Sequence, residues 1–228
     1  MQSRLDALQT QRHELLAAFT AASDRDTKQN IVQQLLHLSE ELELVSAALV
    51  PSLGTATLSV DFYASYLVLV LLSKDLNDAR FLWKRIRIEM KEASEELRNV
   101  WAIGRALWQR DLAAAFAAMD YDWSPLLQGL VEALKISTRE ATAELLSRAY
   151  STIPVSDVAL AMGFARHEDA VQYCLSMDWT VSEADQWVLP KPLANTRRGP
   201  STGVDMAQLD TLSKTVLHLE QNTVAMLQ

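Results

Sequence analysis

Among the residues of this chain that could activate water, hold a metal or attack a carbonyl are four histidines, one cysteine and the carboxylates. Zinc-dependent hydrolysis needs ligands brought together at short, recognisable spacings. His13, His37, His167 and His218 form no such pair, and no His-x-His with a distant Asp is present. Cys174 falls in an amphipathic segment, where a small buried hydrophobe is its expected role and a nucleophile is not. No glycine-rich phosphate loop occurs. The expectation is a protein with no catalytic residues, no metal and no cofactor, so the elements that would have positioned such groups must be read for binding instead.

Composition narrows the partners. With 228 residues and 49% hydrophobic content the chain can bury a substantial core. Its net charge of −8 argues against a nucleic acid held through phosphates. The longest apolar run, Tyr66 to Leu72, is far shorter than the ~18 residues a membrane span requires. A single cysteine and an N-terminus without a basic-then-apolar pattern predict a reducing intracellular compartment. No membrane contact and no small-molecule substrate are expected.

Residues 1–58 read as a helical hairpin. Leu5, Leu8, Leu15 and Phe19 share one seam, interrupted by Arg12, and Ile31, Leu35, Leu38, Leu42, Val45 and Leu49 alternate four and three apart. Ser23-Asp24 marks the turn, and Pro51 to Thr57 ends the hairpin. The pattern is compatible both with a hairpin packed on the downstream helices and with one projecting as an arm.

Residues 59–135 read as helical repeats. Asn77 is the expected N-cap of a helix stapled by Leu76 and Phe81, and Ala79, Leu82, Trp83, Ile86 and Met90 recur at helical spacing. Trp83, Trp101 and Trp108 are expected in the core, and Ala79 and Gly104 leave room for close helix approach. Lys74-Asp75-Leu76 with Ala79 reappears as Arg110-Asp111-Leu112 with Ala115, an offset of 36 residues, close to the ~34-residue period of tetratrico-type repeats.

Residues 136–190 suggest a winged helix. Ser124 and Pro125 start a helix whose period drifts near Ser137-Thr138, which predicts a break there. Next come an extended piece at Ile153, a Ser156-capped helix stapled by Val155 and Leu160, and a Gly163 C-cap. A second helix from about Arg166 to Met177, with Ala165 at its N-cap, precedes a hairpin from Trp179 to Pro190. A DNA-reading winged helix would place cations at the start of that second helix. Here Glu168 and Asp169 follow Arg166, and the wing carries Glu183 and Asp185. Residues 191–204 form a connector with Arg197-Arg198, and residues 205–228 carry an a/d seam of Leu209, Leu212, Val216, Leu219 and Met226 that requires a partner.

The strings Asn77 to Ile86, Trp101 to Asp111 and Ser151 to Gly163 resemble the small helical subunit family of the COP nine signalosome. This group carries a PCI domain, in which helical repeats end in a winged helix, and has relatives in the proteasome lid and in translation initiation factor 3. The resemblance spans residues 59–190. It implies a mainly α chain of helical repeats, a small α+β winged helix and a C-terminal helix. The implied function is a non-catalytic scaffold subunit of an assembly that removes a ubiquitin-like modifier from cullins, in cytoplasm and nucleus. Its implied partners are other PCI and MPN-type subunits, met in two ways. Thr180, Val181, Trp187 and Val188 of the wing would extend a sheet into a neighbour, and the C-terminal helix would enter a shared bundle. Readings left beside it are a proteasome-lid or initiation-factor subunit, and a free nucleic-acid-binding winged helix.

Overall fold

The computed structural model of the chain describes residues 2–22, 24–53, 58–182, 186–191 and 213. It divides into two units, Met1–Pro192 and Leu193–Gln228, and all the helices and strands named here belong to the first. Among the described residues it is mainly α, with three short strands.

Helices α1 (Gln2–Ala21) and α2 (Arg25–Leu53) form the expected hairpin. Asp24 starts α2 by accepting from the Thr27 backbone N–H at 3.0 Å. Leu5, Leu8, Leu16 and Phe19 share one continuous core with Leu35, Leu38, Leu42 and the later helices, so the hairpin packs on the repeats and is not a projecting arm. Leu15, expected on the seam, is only partly buried, and Leu16 takes its place.

Arg12 does not interrupt the seam so much as fill it. Its residue exposure is 6%, its guanidinium donates to the Ser65 hydroxyl and lies 4.8 Å from the Phe62 ring centroid, and its Nε has no hydrogen-bond partner among the described residues. Burial pushes the group down to about 10. The charged form therefore costs stability at every pH below that value, because the unfolded chain holds the proton more tightly. Ser65 keeps bonds to the Asp61 and Phe62 carbonyls without it. Arg12→Met should accordingly stabilise the fold by about 1 kcal/mol in urea unfolding, and a loss of that size would show that the ring and hydroxyl contacts outweigh desolvation.

Helix α3 (Val60–Leu72), capped by Ser59, is buried on every side from Ala64 to Leu71. This explains the apolar run: it is the helix that the others surround. No helix among the described residues is long and apolar enough to cross a membrane.

Helices α4 (Leu76–Arg85), α5 (Ile88–Ala93), α6 (Glu95–Gln109) and α7 (Leu112–Met119) come next in the chain. The cap of α4 is Asp75, whose carboxylate accepts from Asp78 N–H at 3.0 Å, and not Asn77. The staple fails with it, because Leu76 is then the first residue of the helix and Phe81 is 55% exposed. The stripe from Ala79 to Met90 spans two helices, broken where Ile86 takes an extended conformation. Nor are the tryptophans simply core. Trp83 and Trp101 stack at 5.1 Å and are half-buried, and Trp108 is exposed, with Arg80 over its ring at 5.6 Å. A Cβ on Gly104 would meet Leu71 Cδ2 at 3.3 Å, the close approach its size allows.

Helix α8 (Pro125–Ala149) is continuous, so the expected break at Ser137-Thr138 does not occur. Thr138 and Thr142 return their hydroxyls to the carbonyls of Leu134 and Thr138 and stay helical. The drift has a tertiary cause. Leu127, Leu130, Val131 and Leu134 face the repeat core, whereas Ala143 and Leu146 face a second core on another side of the helix.

That second core belongs to the wing, formed by β1 (Ile153–Pro154), α9 (Val155–Met162), α10 (His167–Ser176), β2 (Thr180–Ser182) and β3 (Trp187–Leu189). Pro154, at φ −62°, leads straight into α9. Ser156 therefore lies inside the first turn and bonds Asp157, and the expected cap and staple are absent, with Leu160 at 66% exposure. Arg166, not Ala165, precedes α10. Gly163 closes α9 at φ 66°, as its type predicts.

Candidate functional site

The three strands form an antiparallel sheet in the order β1-β3-β2. Val188 pairs with both Ile153 and Val181, so β3 is the middle strand. This corrects the expectation for Trp187 and Val188: a strand paired on both sides offers no edge for addition. Val188 is fully buried among Ile153, Val158, Met162 and Trp179. Trp187 remains an exposed side chain on the sheet's outer face, next but one to Leu189.

Of the two outer strands, β1 is a poor template. It has two residues, one of them Pro154 without an N–H, and α9 begins at once after it. The other, β2, pairs only with β3 among the described residues. Thr180 and Val181 therefore lie on the open edge, where a neighbour's backbone could continue the ladder.

Beside this edge lies a groove of about 500 Å³ between the sheet and α10, lined by Val171, Leu175, Val181, Gln172 and Glu168 among others. Leu175 is an exposed apolar side chain one turn from Val171. Neither was a candidate from sequence, because an i, i+4 pair on an amphipathic helix reads as core until the sheet is in place. Only the exposure of Leu175 marks the groove.

The wing is held to the repeats by Arg139 of α8. Its Nε donates to the Met162 carbonyl at 3.0 Å and its Nη2 to the Gly163 carbonyl at 3.3 Å. Its guanidinium lies 4.3 Å from the Phe164 ring centroid and 5.5 Å from that of Phe116 on α7. These bonds take up carbonyls at the end of α9. Tyr173 packs on Phe164 at 5.5 Å, and its phenol is raised mainly by burial. The β2 edge is thus presented on a wing tied to the helical body.

Chemistry elsewhere is limited. Cys174 is fully buried and burial pushes its thiol up to about 11, far from a thiolate at neutral pH. Among the described residues no cluster of His, Cys, Asp and Glu could hold a metal. Arg166 at the start of α10 is paired with Asp169 through two bonds of 3.0 and 3.1 Å, so that helix start presents no unpaired cation to a phosphate. Leu209, Leu212, Val216, Leu219 and Met226 lie outside the described residues, as do Glu183, Asp185, Arg197 and Arg198.

Comparison with known proteins agrees with this architecture. The profile of the CSN8/PSMD8/EIF3K family matches residues 57–197. COP9 signalosome complex subunit 8 of Danio rerio is 37% identical over 139 residues, 60% of this chain and 71% of that protein. The protein of the same name from Arabidopsis thaliana is also 37% identical, over 69% of this chain and 79% of its own length. That from Xenopus laevis is 36% identical over 70% of this chain and 78% of its own. A profile that spans the repeats and the wing, with relatives of this similarity, establishes that the chain belongs to the CSN8/PSMD8/EIF3K family.

Proposed function

We propose that the chain is a non-catalytic subunit of the COP9 signalosome and acts by holding neighbouring subunits together. The observation that carries this is its similarity, across repeats and wing, to proteins named as subunit 8 of that complex. Within the wider family this favours the signalosome over the proteasome lid or initiation factor 3. In this reading the wing and the C-terminal segment are the two contact elements. A strand from another PCI subunit adds to β2 at Thr180 and Val181 and rests side chains in the groove beside Leu175. The seam of Leu209, Leu212, Val216, Leu219 and Met226 enters a bundle with other subunits, including MPN-type ones. Support for cullin deneddylation is then indirect, through assembly, in cytoplasm and nucleus, with no cofactor and no nucleic acid. The pairing of Arg166 with Asp169 weighs against the nucleic-acid alternative.

Purification of the tagged chain from native extract, with co-purifying chains identified by mass, tests the assignment. Signalosome subunits are the expected result, and lid or initiation-factor subunits would overturn it. Two double variants test the contacts. Thr180→Lys with Leu175→Asp alters exposed residues and should leave the melting of the lone chain unchanged while reducing recovery of partners. Leu212→Asp with Leu219→Asp places charges in the bundle seam, where unpaired burial is costly. Wild-type recovery for either variant removes that element from the interface.

A further inference from the structure

The offset of 36 residues seen in the sequence is a structural repeat, and its two copies meet. Lys74 follows the end of α3 and Arg110 the end of α6, and both adopt the left-handed conformation, at φ 67° and 59°. Each donates its backbone N–H three residues back, to the carbonyls of Leu71 and Leu107 at 3.0 and 3.1 Å. Each is followed by an aspartate that caps the next helix, Asp75 for α4 and Asp111 for α7, with cap distances of 3.0 Å. Then comes a leucine in each copy, Leu76 and Leu112.

These two copies line one groove of about 510 Å³, closed on its third side by α8. Leu71, Lys74 and Leu76 contribute from one copy and Leu107, Arg110 and Leu112 from the other. The residues from α8 are uncharged, and Leu145 among them is 64% exposed. Among the described residues no carboxylate lines the groove. Neither Lys74 nor Arg110 has an ion pair among the described residues, and the neighbouring Asp75 and Asp111 are engaged at helix starts. In a chain of net charge −8, the lining of this groove is apolar and carries two cations without an ion pair, while the acids that follow them, Asp75 and Asp111, face the helix starts that they cap.

We propose that this groove binds an amphipathic helix of a partner protein, with leucine-like side chains facing the duplicated leucines and two carboxylates meeting Lys74 and Arg110. Charge complementarity selects an acidic occupant. Its backbone form is set by the walls. They are helices and helix ends with no open strand edge, so an extended segment would gain no main-chain ladder, whereas a helix brings its backbone already satisfied. The site is separate from the wing, since none of its lining residues belongs to the sheet or to α10. The cations also favour the carboxyl ends of α3 and α6. That structural role is indifferent to the charge of an added peptide, which makes the two separable.

The test uses the full chain and a fluorescein-labelled helical peptide, with leucines at i, i+3, i+4 and i+7 and glutamates between them, followed by anisotropy. A second peptide carries lysine in place of every glutamate. Wild type should bind the acidic peptide and not the basic one. Lys74→Glu with Arg110→Glu should weaken the acidic peptide by about tenfold or more and gain the basic one. Leu145→Asp, at an exposed position, should keep the wild-type thermal midpoint and weaken the acidic peptide as well. Thermal midpoints of each variant separate loss of binding from loss of structure. If the reversed variant does not fold, Leu145→Asp and the two peptides on wild type still decide. Equal binding of both peptides by wild type, no binding of the acidic one, or unchanged binding by Leu145→Asp would overturn the proposal.

Discussion

Replacing Gly163 by alanine should cost about 2 to 4 kcal/mol, although it adds a single methyl group. Two terms act together. At φ 66° an L side chain is strained by roughly 1 kcal/mol or more. The new Cβ would also stand 2.5 Å from Phe116 Cβ and closer still to its ring, in a place where Arg139 already holds the Gly163 carbonyl. Overpacking of this kind costs roughly 1 to 3 kcal/mol. For a chain of this length the midpoint of thermal unfolding should fall by about 5 to 15 °C. Gly129→Ala is the matched control. It lies in α8 without positive φ, and its Cβ would make an ordinary contact of 3.6 Å with Thr20 Cγ2. Helix propensity alone predicts a gain of roughly 0.5 to 1 kcal/mol there. If both variants melt alike, the closeness of Phe116 to Gly163 is not the constraint described.

Leu67→Ala should be the other severe change, at about 3 to 5 kcal/mol. Leu67 sits at the middle of α3 with no exposure, surrounded by helices on all sides, so the cavity left behind cannot collapse. Trp83→Ala, which the expectation of a core tryptophan would rank above it, should cost less, about 2 kcal/mol. Its ring is half-buried, and what it loses is one stacked partner, Trp101, and the Lys91 ammonium at 4.7 Å. Calorimetric melting of the two variants under one buffer checks the order. A larger drop for Trp83→Ala would mean that the stacked pair, and not α3, is the centre of the repeat.

Local chemistry explains what could be read from the residues in order. Gly163 ends α9 because glycine takes a positive φ without strain, and Ser124-Pro125 begins α8 because proline's missing N–H has no helical partner to lose at that position. The hairpin of α1 and α2, the two-helix wing and its β2–β3 ribbon arise from apolar spacing of the same kind, since each element buries a face whose period its own residues carry. The candidate edge was legible only in part: the ribbon could be placed from Val181 and Val188, but not which of its strands is outermost.

What the tertiary structure decided were matters of partnership between distant residues. Pairing of Ile153 with Val188 puts β3 in the middle and leaves Thr180 and Val181 on the edge, and no spacing within the ribbon contains that pairing. The burial of Arg12 depends on Ser65 and Phe62, some fifty positions away in sequence. The uninterrupted α8 misled the periodicity because it serves two cores in turn, and a stripe that changes sides looks locally like a break. Lys74 and Arg110 recur at a fixed offset that any reading of the chain can find. That the two copies face each other across one groove is a property of helix packing, which alone sets the distance between residues that the chain keeps apart.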